Sequence, residues 1–190
     1  MKISPKHLND IISFAVKTMQ NSYSPYSKYK VGAAAIGESG TVYTGTNVEN
    51  ASYGLTICAE RSAIFNAVSH GEKRLQAMVL VSEPNNINQI NSPCGACRQV
   101  MAEFGTEDMP IYIADIIKGK VVRVVSKKLK DFLPYAFTPA SFAGTPKTKK
   151  AKKSADKPES AEDQTLAAKP KKTAVKKTIK KVVDTEDKAE

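Results

Sequence analysis

Three cysteines constrain this chain more than any other feature of its sequence. Cys94 and Cys97 stand three positions apart in PCGAC, at a predicted helix start, so that both sulfurs lie on one helix face. Cys58 stands at the start of the preceding predicted helix, in TICAERSA. Catalytic zinc commonly takes three protein ligands and leaves one position for water. The spacing therefore predicts a fold in which two helix N-termini meet around one Zn²⁺.

One glutamate and two arginines accompany the cysteines. Glu60 follows Cys58 by two positions, which is too close for a comfortable fourth ligand but near enough to reach a water beside the metal. Three thiolates around Zn²⁺ leave one net negative charge, which weakens the acidifying effect of the metal on its water. Arg61 and Arg98 are the predicted counter-charges. This set predicts hydrolytic deamination, in which the carboxylate moves a proton from the water to a departing amine.

Two other uses of a CxxC pair stay open at this point. On general spacing rules such a pair is more often a redox centre or a structural zinc site than a catalytic one. A thioredoxin-like role is disfavoured because the third cysteine precedes a glutamate at a second helix start. A closed structural zinc site needs a fourth Cys or His, and His7 and His70 lie on the first helix and at the end of the second.

Hydrophobic periodicity predicts an α/β order around these motifs. Ser4 is a predicted helix cap and Pro5 the first helical residue, with apolar residues recurring on one face behind them. The predicted elements are a helix over 4–20, strands over 31–36 and 41–46 joined by a GESG hairpin, a loop over 47–56, a helix from Cys58 to Gly71, a strand over 77–81, a helix from 93 or 94 to Gly105, strands over 110–117 and 120–125, and at most a helical turn over 128–133. This order predicts a central sheet flanked by helices.

The composition changes near residue 145. The chain carries a net charge of +10, and its last 46 residues contain 14 lysines against 8 acidic residues and few large aliphatic residues. Such a segment cannot bury enough apolar surface to offset the entropy of ordering it. We expect a catalytic domain over residues 1–144 and a disordered Lys/Ala/Pro-rich basic tail over 145–190.

Cysteine usage and hydropathy bear on the compartment. No window approaches the roughly 18 apolar residues that a membrane span needs, and the MKISPKHLND start lacks the pattern of a secretory signal. An odd number of cysteines in such a chain argues against a disulfide framework. A cytoplasmic protein is expected.

Three stretches of the sequence resemble the cytidine deaminase family, in its homotetrameric form with three zinc-binding cysteines. They are SPYSKYKVGAA, TGTNVENASYGLTICAERSAIFNAV and SPCGACRQVMAEF, and the resemblance covers roughly residues 5–137. It implies a three-layer α-β-α sandwich around a mixed five-stranded sheet. It also implies one Zn²⁺ per subunit and conversion of cytidine and deoxycytidine to uridine and deoxyuridine in pyrimidine salvage.

The same resemblance assigns the substrate contacts residue by residue. Asn47 and Glu49 match the family's ribose-binding residues, although on sequence alone either one also suits a turn. Tyr29 is expected to face the pyrimidine ring, and core packing is the alternative role for it. The backbone at Ala59 and at residues 92–93 is expected to read the base, while Glu60 holds a ring nitrogen.

Two aromatic residues match intersubunit contacts of the family. Phe137 corresponds to an aromatic that enters a neighbouring subunit's pocket, and Tyr53 corresponds to a second contact between subunits. A packing role within one chain is the alternative for each.

Two other functions remain open. A related deaminase could act on another pyrimidine substrate, although a carboxylate near the sugar disfavours a phosphate. The basic tail could instead bind nucleic acid; because it has no aromatic residue, only sequence-independent contact is expected. A short basic amphipathic helix and a solvated tail that aids solubility are the other possibilities for this segment.

Overall fold

The computed structural model describes residues 3–84 and 86–142, so the predicted boundary at 144 and the tail over 145–190 lie outside the described residues. The helices are α1 Pro5–Met19, α2 Ala59–Ser69, α3 Gly95–Phe104 and α4 Leu129–Phe132. The strands are β1 Val31–Gly37, β2 Val42–Thr46, β3 Leu75–Ser82, β4 Pro110–Ile117 and β5 Lys120–Lys128. Short 3₁₀ turns occupy Tyr53–Leu55 and Pro139–Phe142. Among the described helices, none is both long and apolar enough to cross a bilayer.

The five strands form one mixed sheet in the order β2-β1-β3-β4-β5. The β3 and β4 strands are parallel, and every other neighbouring pair is antiparallel. Helix α1 packs on one face against alternating residues such as Ala34 and Ala77, whereas α2 and α3 cover the other face through Ala33 and Met78. This is the three-layer α-β-α sandwich that the family resemblance implies, and the fold prediction is confirmed.

Local capping explains where α1 begins. The Ser4 hydroxyl accepts a hydrogen bond from the His7 N–H at 3.3 Å. Pro5 occupies the first helical position, where a backbone N–H would have no partner within the helix, so its lack of an N–H costs nothing. Ile11, Ile12, Ala15 and Met19 form the buried face. The sequence prediction for this helix is confirmed, with Gln20 as its C-cap.

Helix α2 lies so close to β2 that only glycine fits between them. A Cβ atom on Gly45 would stand 2.2 Å from the backbone nitrogen of Ala63 and 2.7 Å from the carbonyl oxygen of Ala59. The Asn66 side chain also donates to the Thr44 carbonyl at 3.1 Å. These contacts set the position of the α2 N-terminus, which carries the first cysteine.

Several predicted boundaries differ from the structure. The β3 strand extends over Leu75–Ser82 rather than 77–81, and β5 continues to Lys128 rather than ending at 125. The extra residues of β5 are exposed on an edge strand, where no apolar alternation marks them. The predicted loop over 47–56 contains the Tyr53–Leu55 turn and is tied down through Val48, which forms bridges with Tyr23 and Ile57.

Candidate metal centre and catalytic cavity

The three cysteine sulfurs meet where α2 and α3 begin. Cys58 is the N-cap of α2, Cys94 is the N-cap of α3, and Cys97 is buried in the first turn of α3. The Sγ atoms of Cys58 and Cys94 are 3.8 Å apart, those of Cys94 and Cys97 are 3.5 Å apart, and all three lie within 4.8 Å of one another. The predicted convergence of the three sulfurs is confirmed.

The spacing of the sulfurs suits a tetrahedral zinc ion. Zinc–sulfur bonds of about 2.3 Å in tetrahedral geometry place two ligand sulfurs about 3.8 Å apart. No two of these cysteines are joined by a disulfide bond. The donor set therefore fits Zn²⁺ with one coordination position left for a small ligand.

The Cys58 sulfur also has the proton chemistry that metal binding requires. The pKa of the Cys58 thiol falls to about 5, chiefly because the Cys97 thiol donates a hydrogen bond to the Cys58 sulfur, with further help from Arg61. The same hydrogen bond raises the pKa of Cys97, which keeps its own proton. Because each motif stands at a helix N-terminus, the partial positive charge there also favours thiolate. At least one thiolate is thus present at neutral pH to receive a cation.

The two predicted counter-charges occupy different positions. An Nη atom of Arg61 lies 3.6 Å from the Cys58 sulfur and donates to the Thr56 carbonyl at 2.9 Å. The Arg98 donors instead go to the Pro93 carbonyl at 2.6 Å, to the Phe132 carbonyl and to the Ser92 hydroxyl. Arg61 is placed beside the ligands, whereas Arg98 braces the backbone that leads into α3.

Glu60 presents a buried carboxyl group beside the sulfurs. Glu60 lies in the first turn of α2 and is only 5% exposed. Burial raises the pKa of Glu60 to about 7, and the nearby Cys58 thiolate raises it further through charge repulsion. A carboxyl group with that pKa can both accept and deliver a proton at neutral pH.

A cavity of about 450 Å³ opens onto the sulfurs. This volume lies within the range typical of small-molecule sites, roughly 300–1,000 Å³. Its lining includes these sequence-predicted residues: Tyr29, Asn47, Glu49, Cys58, Ala59, Glu60, Ser92 and Cys94. A wider groove of about 690 Å³ passes Glu103, Thr106 and Lys130, but its described lining holds neither a cysteine nor a buried carboxylate. We therefore assign the chemistry to the smaller cavity.

Asn47 is mostly engaged within the protein. Its side-chain oxygen accepts from the Ser22 hydroxyl at 2.6 Å and from the Val31 N–H at 2.9 Å, while its amide nitrogen donates to the Tyr29 carbonyl at 2.9 Å. An amide nitrogen carries two hydrogens, so one N–H of Asn47 is left for a ligand. The predicted turn role and the predicted ligand role are therefore compatible.

Glu49 lies at the outer part of the cavity and holds the segment around Ser27. Its carboxylate accepts the backbone N–H groups of Tyr26 at 2.9 Å and Ser27 at 3.2 Å, together with the Ser27 hydroxyl. The hydroxyl contact is the largest cause that lowers the pKa of Glu49. This side chain is consequently a fixed negative charge at neutral pH.

Tyr29 lies on the cavity wall with its hydroxyl beside the Ser82 hydroxyl. Burial raises the pKa of the Tyr29 phenol, so its hydroxyl remains protonated at neutral pH. The predicted contact of Tyr29 with the pyrimidine ring stays a prediction.

The two aromatics predicted at subunit contacts are outside this cavity and exposed. Phe137 is 58% exposed and packs edge-on against Phe142, and Tyr53 is 75% exposed and packs edge-on against Tyr26. Contacts of both residues with a second subunit stay predictions.

Six cavity residues were not predicted as site residues from the sequence: Ser27, Val31, Thr56, Leu80, Ser82 and Asn91. Ser82 ends β3 next to the parallel strand β4, and the carboxyl ends of such strands are common ligand sites. That rule together with the polar residue after an apolar run could have identified Ser82. Asn91 lies in an exposed polar loop that carries no comparable signal.

The chain is similar to known proteins over about two thirds of its length. Residues 5–113 match the family model described as the cytidine and deoxycytidylate deaminase zinc-binding region. A cytidine deaminase of Sporosarcina psychrophila is 44% identical over 128 residues, which cover 67% of this chain and 89% of the relative. A cytidine deaminase of Halalkalibacterium halodurans is 41% identical over 128 residues, with 67% and 92% covered.

The fold is shared with a solved structure as well. The crystal structure of cytidine deaminase from Burkholderia pseudomallei aligns with a TM-score of 0.61 at 39% sequence identity. The alignment covers 68% of this chain and 98% of that chain. The similarity thus extends over almost the full length of the relative.

Proposed function

This chain belongs to the cytidine deaminase family, and on that premise we propose that it hydrolyses cytidine and deoxycytidine to uridine and deoxyuridine, with release of ammonia, in pyrimidine salvage. One observation carries the proposal: the buried Glu60 carboxyl group shares a cavity with the sulfurs of Cys58 and Cys94. A proton-transfer group beside a three-thiolate zinc site suits hydrolysis of a carbon–nitrogen bond.

The roles of the chain's own groups follow from their positions. Cys58, Cys94 and Cys97 would hold Zn²⁺, which would supply a Lewis acid that lowers the pKa of water toward neutrality. Glu60 accepts a proton from the attacking water and delivers it to the pyrimidine ring nitrogen, and it then takes the proton of the hydroxyl group added at C4 and delivers that proton to the departing amine. A carbon–oxygen bond forms at C4, the carbon–nitrogen bond breaks, and ammonia leaves. Arg61 offsets the excess negative charge of the thiolates.

The polar wall of the cavity favours a nucleoside substrate. The remaining N–H of Asn47 and the carboxylate of Glu49 are suited to sugar hydroxyls, and the backbone at Ala59 and Ser92 is suited to the edge of the base. Because the pKa of Glu49 is lowered, its charge persists at neutral pH and repels a 5′-phosphate. A related deaminase acting on another pyrimidine substrate is the alternative.

The test follows cytidine absorbance during incubation with purified, zinc-loaded protein. Cytidine, deoxycytidine, cytidine monophosphate and a single-stranded oligonucleotide are compared, each with and without a chelator. We expect chelator-sensitive turnover of the two nucleosides and little turnover of the other two. Turnover of the monophosphate or of the oligonucleotide without turnover of the nucleosides supports the alternative, and the absence of turnover for both nucleosides overturns the proposed function.

Assembly as a homotetramer is part of the proposal. Exposed aromatic side chains at Tyr53, Phe137 and Phe142 support it, because they leave apolar surface for a partner to cover. Light scattering after size-exclusion chromatography measures the mass, with Phe137→Ala as the variant expected to weaken assembly. A monodisperse monomer that turns over cytidine contradicts this part alone.

The basic tail is proposed to make sequence-independent contact with nucleic acid in the cytoplasm. Its lysine runs KTKKAKK and KPKKTAVKKTIKK support phosphate contact, and the use of cysteines as thiolate ligands suits a reducing compartment. Removal of residues 145–190 should abolish salt-sensitive retention of DNA or RNA while cytidine turnover persists. Equal retention by the truncated chain excludes this role.

A further inference from the structure

One loop between β3 and α3 forms part of the cavity wall without a buried apolar side chain of its own. We call residues 86–92 the 86–92 loop. Within it, positions 86–90 and 92 are exposed and Asn91 is partly exposed. Asn91 and Ser92 nevertheless line the cavity. A segment without buried apolar contacts depends on polar bonds for its position.

Arg123 of β5 supplies such bonds at one end of the loop. Two of its guanidinium nitrogens donate to the backbone carbonyls of Ile87 and Gln89. The third, Nε, donates to the Asp115 carboxylate at 2.5 Å. The planar guanidinium group can hold three acceptors at once, which the point charge of a lysine cannot reproduce.

Asp115 anchors this arginine in the sheet. It is 1% exposed on β4, where it lies opposite Arg123 on the antiparallel side and opposite Ser82 on the parallel side. Its charged partner Arg123 is 29% exposed at the side chain, so the pair extends from the interior to the loop. A buried carboxylate paired in this way holds the guanidinium in one orientation.

The other end of the loop is held independently. The Asn91 amide donates to the Ser82 hydroxyl at 3.2 Å, and Arg98 donates to the Ser92 hydroxyl at 3.1 Å and to the Pro93 carbonyl at 2.6 Å. Two arginines from different elements therefore hold the loop on either side of Asn91. Only the Arg123 end is remote from the cysteine ligands.

We propose that Arg123, braced by Asp115, is a positioning residue for the substrate: it holds the 86–92 loop so that Asn91 and Ser92 form the cavity wall. The role of the wall in nucleoside binding rests on the proposed function. Arg123 touches neither the sulfurs nor Glu60 through any described hydrogen bond, so its effect is on binding rather than on proton transfer.

The test uses Arg123→Lys in the full-length, zinc-loaded protein. Lysine keeps a cation beside Asp115, so that the buried carboxylate is not left unpaired, but it cannot hold both loop carbonyls. Lys127→Ala, at an exposed lysine of the same strand, is the matched control. We expect the KM for cytidine to rise roughly tenfold with kcat within about twofold, and the control to match the wild type.

A second readout does not depend on activity. Hydrogen exchange of the backbone amides over residues 86–92 in the ligand-free protein should be faster in Arg123→Lys, with zinc content and melting temperature close to those of the wild type. Unchanged exchange overturns the inference, as does a joint fall of kcat, zinc content and melting temperature, which would indicate a general structural role. If the wild type itself fails to turn over cytidine, the proposed function fails while the exchange arm still tests the loop contact.

Discussion

The sulfur atoms of Cys58 and Cys94 lie 3.8 Å apart although 36 positions separate the two residues in the chain. Helix α2 reaches this point because Gly45 lets it lie directly on β2, and α3 reaches it after β3, which is separated from β2 by β1 in the sheet. The metal centre therefore depends on the packing of two helices on one sheet face.

Replacement of one ligand should remove the metal. In Cys94→Ser a weaker, neutral oxygen donor replaces a thiolate, so we expect bound zinc to fall well below one ion per chain and turnover to fall with it. Zinc is measured by mass spectrometry of the desalted protein. His70→Ala, at the far end of α2, is the control and should retain zinc. Loss of zinc in the histidine variant would favour a structural site with a fourth ligand.

Glu60→Gln should separate metal binding from catalysis. The amide cannot accept a proton from water, so kcat should fall by roughly 10²–10⁴-fold while zinc remains bound. Turnover is followed by ammonia release from cytidine. Glu103→Gln, an exposed glutamate on α3, is the control and should behave as the wild type. A zinc-loaded Glu60→Gln protein with near wild-type kcat contradicts the assignment.

The raised pKa of Glu60 has a consequence for stability. Its folded pKa of about 7 lies above the ordinary value of 4.5, so the folded state binds the proton more tightly than the unfolded state does. The tighter binding of this proton stabilises the folded state. The stabilisation is complete below pH 4.5, where Glu60 is protonated in both states, and is lost as the pH rises to 7. Over that window the zinc-free wild type should lose about 3 kcal/mol relative to Glu60→Gln.

Urea unfolding of both proteins in chelator at pH 4.5 and pH 8 measures this difference. Comparison of the two proteins removes the contributions of titrating groups that do not interact with Glu60; the charge interaction between Glu60 and Cys58 remains part of the difference. A difference that is the same at both pH values would mean that burial does not perturb this carboxyl group.

Gly45→Ala should disturb the position of α2. The new Cβ would stand 2.2 Å from a backbone atom of that helix, so the helix must move away from β2. We expect a loss of roughly 1–3 kcal/mol in the free energy of unfolding, together with reduced zinc affinity. Gly54→Ala is the matched control, because its Cβ would meet no atom within 4 Å. Equal unfolding midpoints for the two variants would exclude the close helix contact.

Glu49→Gln should narrow the preference for nucleoside over nucleotide. Removal of the fixed charge leaves hydrogen bonding to the sugar possible but ends the repulsion of a phosphate. The ratio of kcat/KM for cytidine over cytidine monophosphate should fall by roughly tenfold. Glu38→Gln, an exposed carboxylate in the hairpin turn, controls for net charge. An unchanged ratio means that discrimination arises elsewhere.

Helix α1 and the order of the elements could be predicted because their signals are local. Ser4, Pro5 and the apolar face of α1 all lie within one segment. Apolar residues that recur every three or four positions indicate a helix, whereas alternating or continuous apolar residues indicate a strand. The full extent of β5 could not be predicted. Its last residues are exposed on an edge strand, and only pairing with β4 makes them a strand.

The chemistry-bearing residues were likewise available from local pattern. Cys58, Glu60, Cys94 and Cys97 follow from motif spacing at two helix starts. Motif spacing could not predict the roles of Ser82, Asn91 and the pair of Asp115 with Arg123. Each of them gains its role from a neighbour on another strand or loop.

The sequence by itself determined which residue types are available for zinc binding and proton transfer, and which segments form helices and strands. Those properties depend on neighbours a few positions away. Tertiary structure alone decided how closely the sulfurs approach one another, that burial raises the pKa of Glu60, and that Arg123 reaches the cavity loop. These depend on sheet order and helix packing, which bring distant residues together and exclude water from between them.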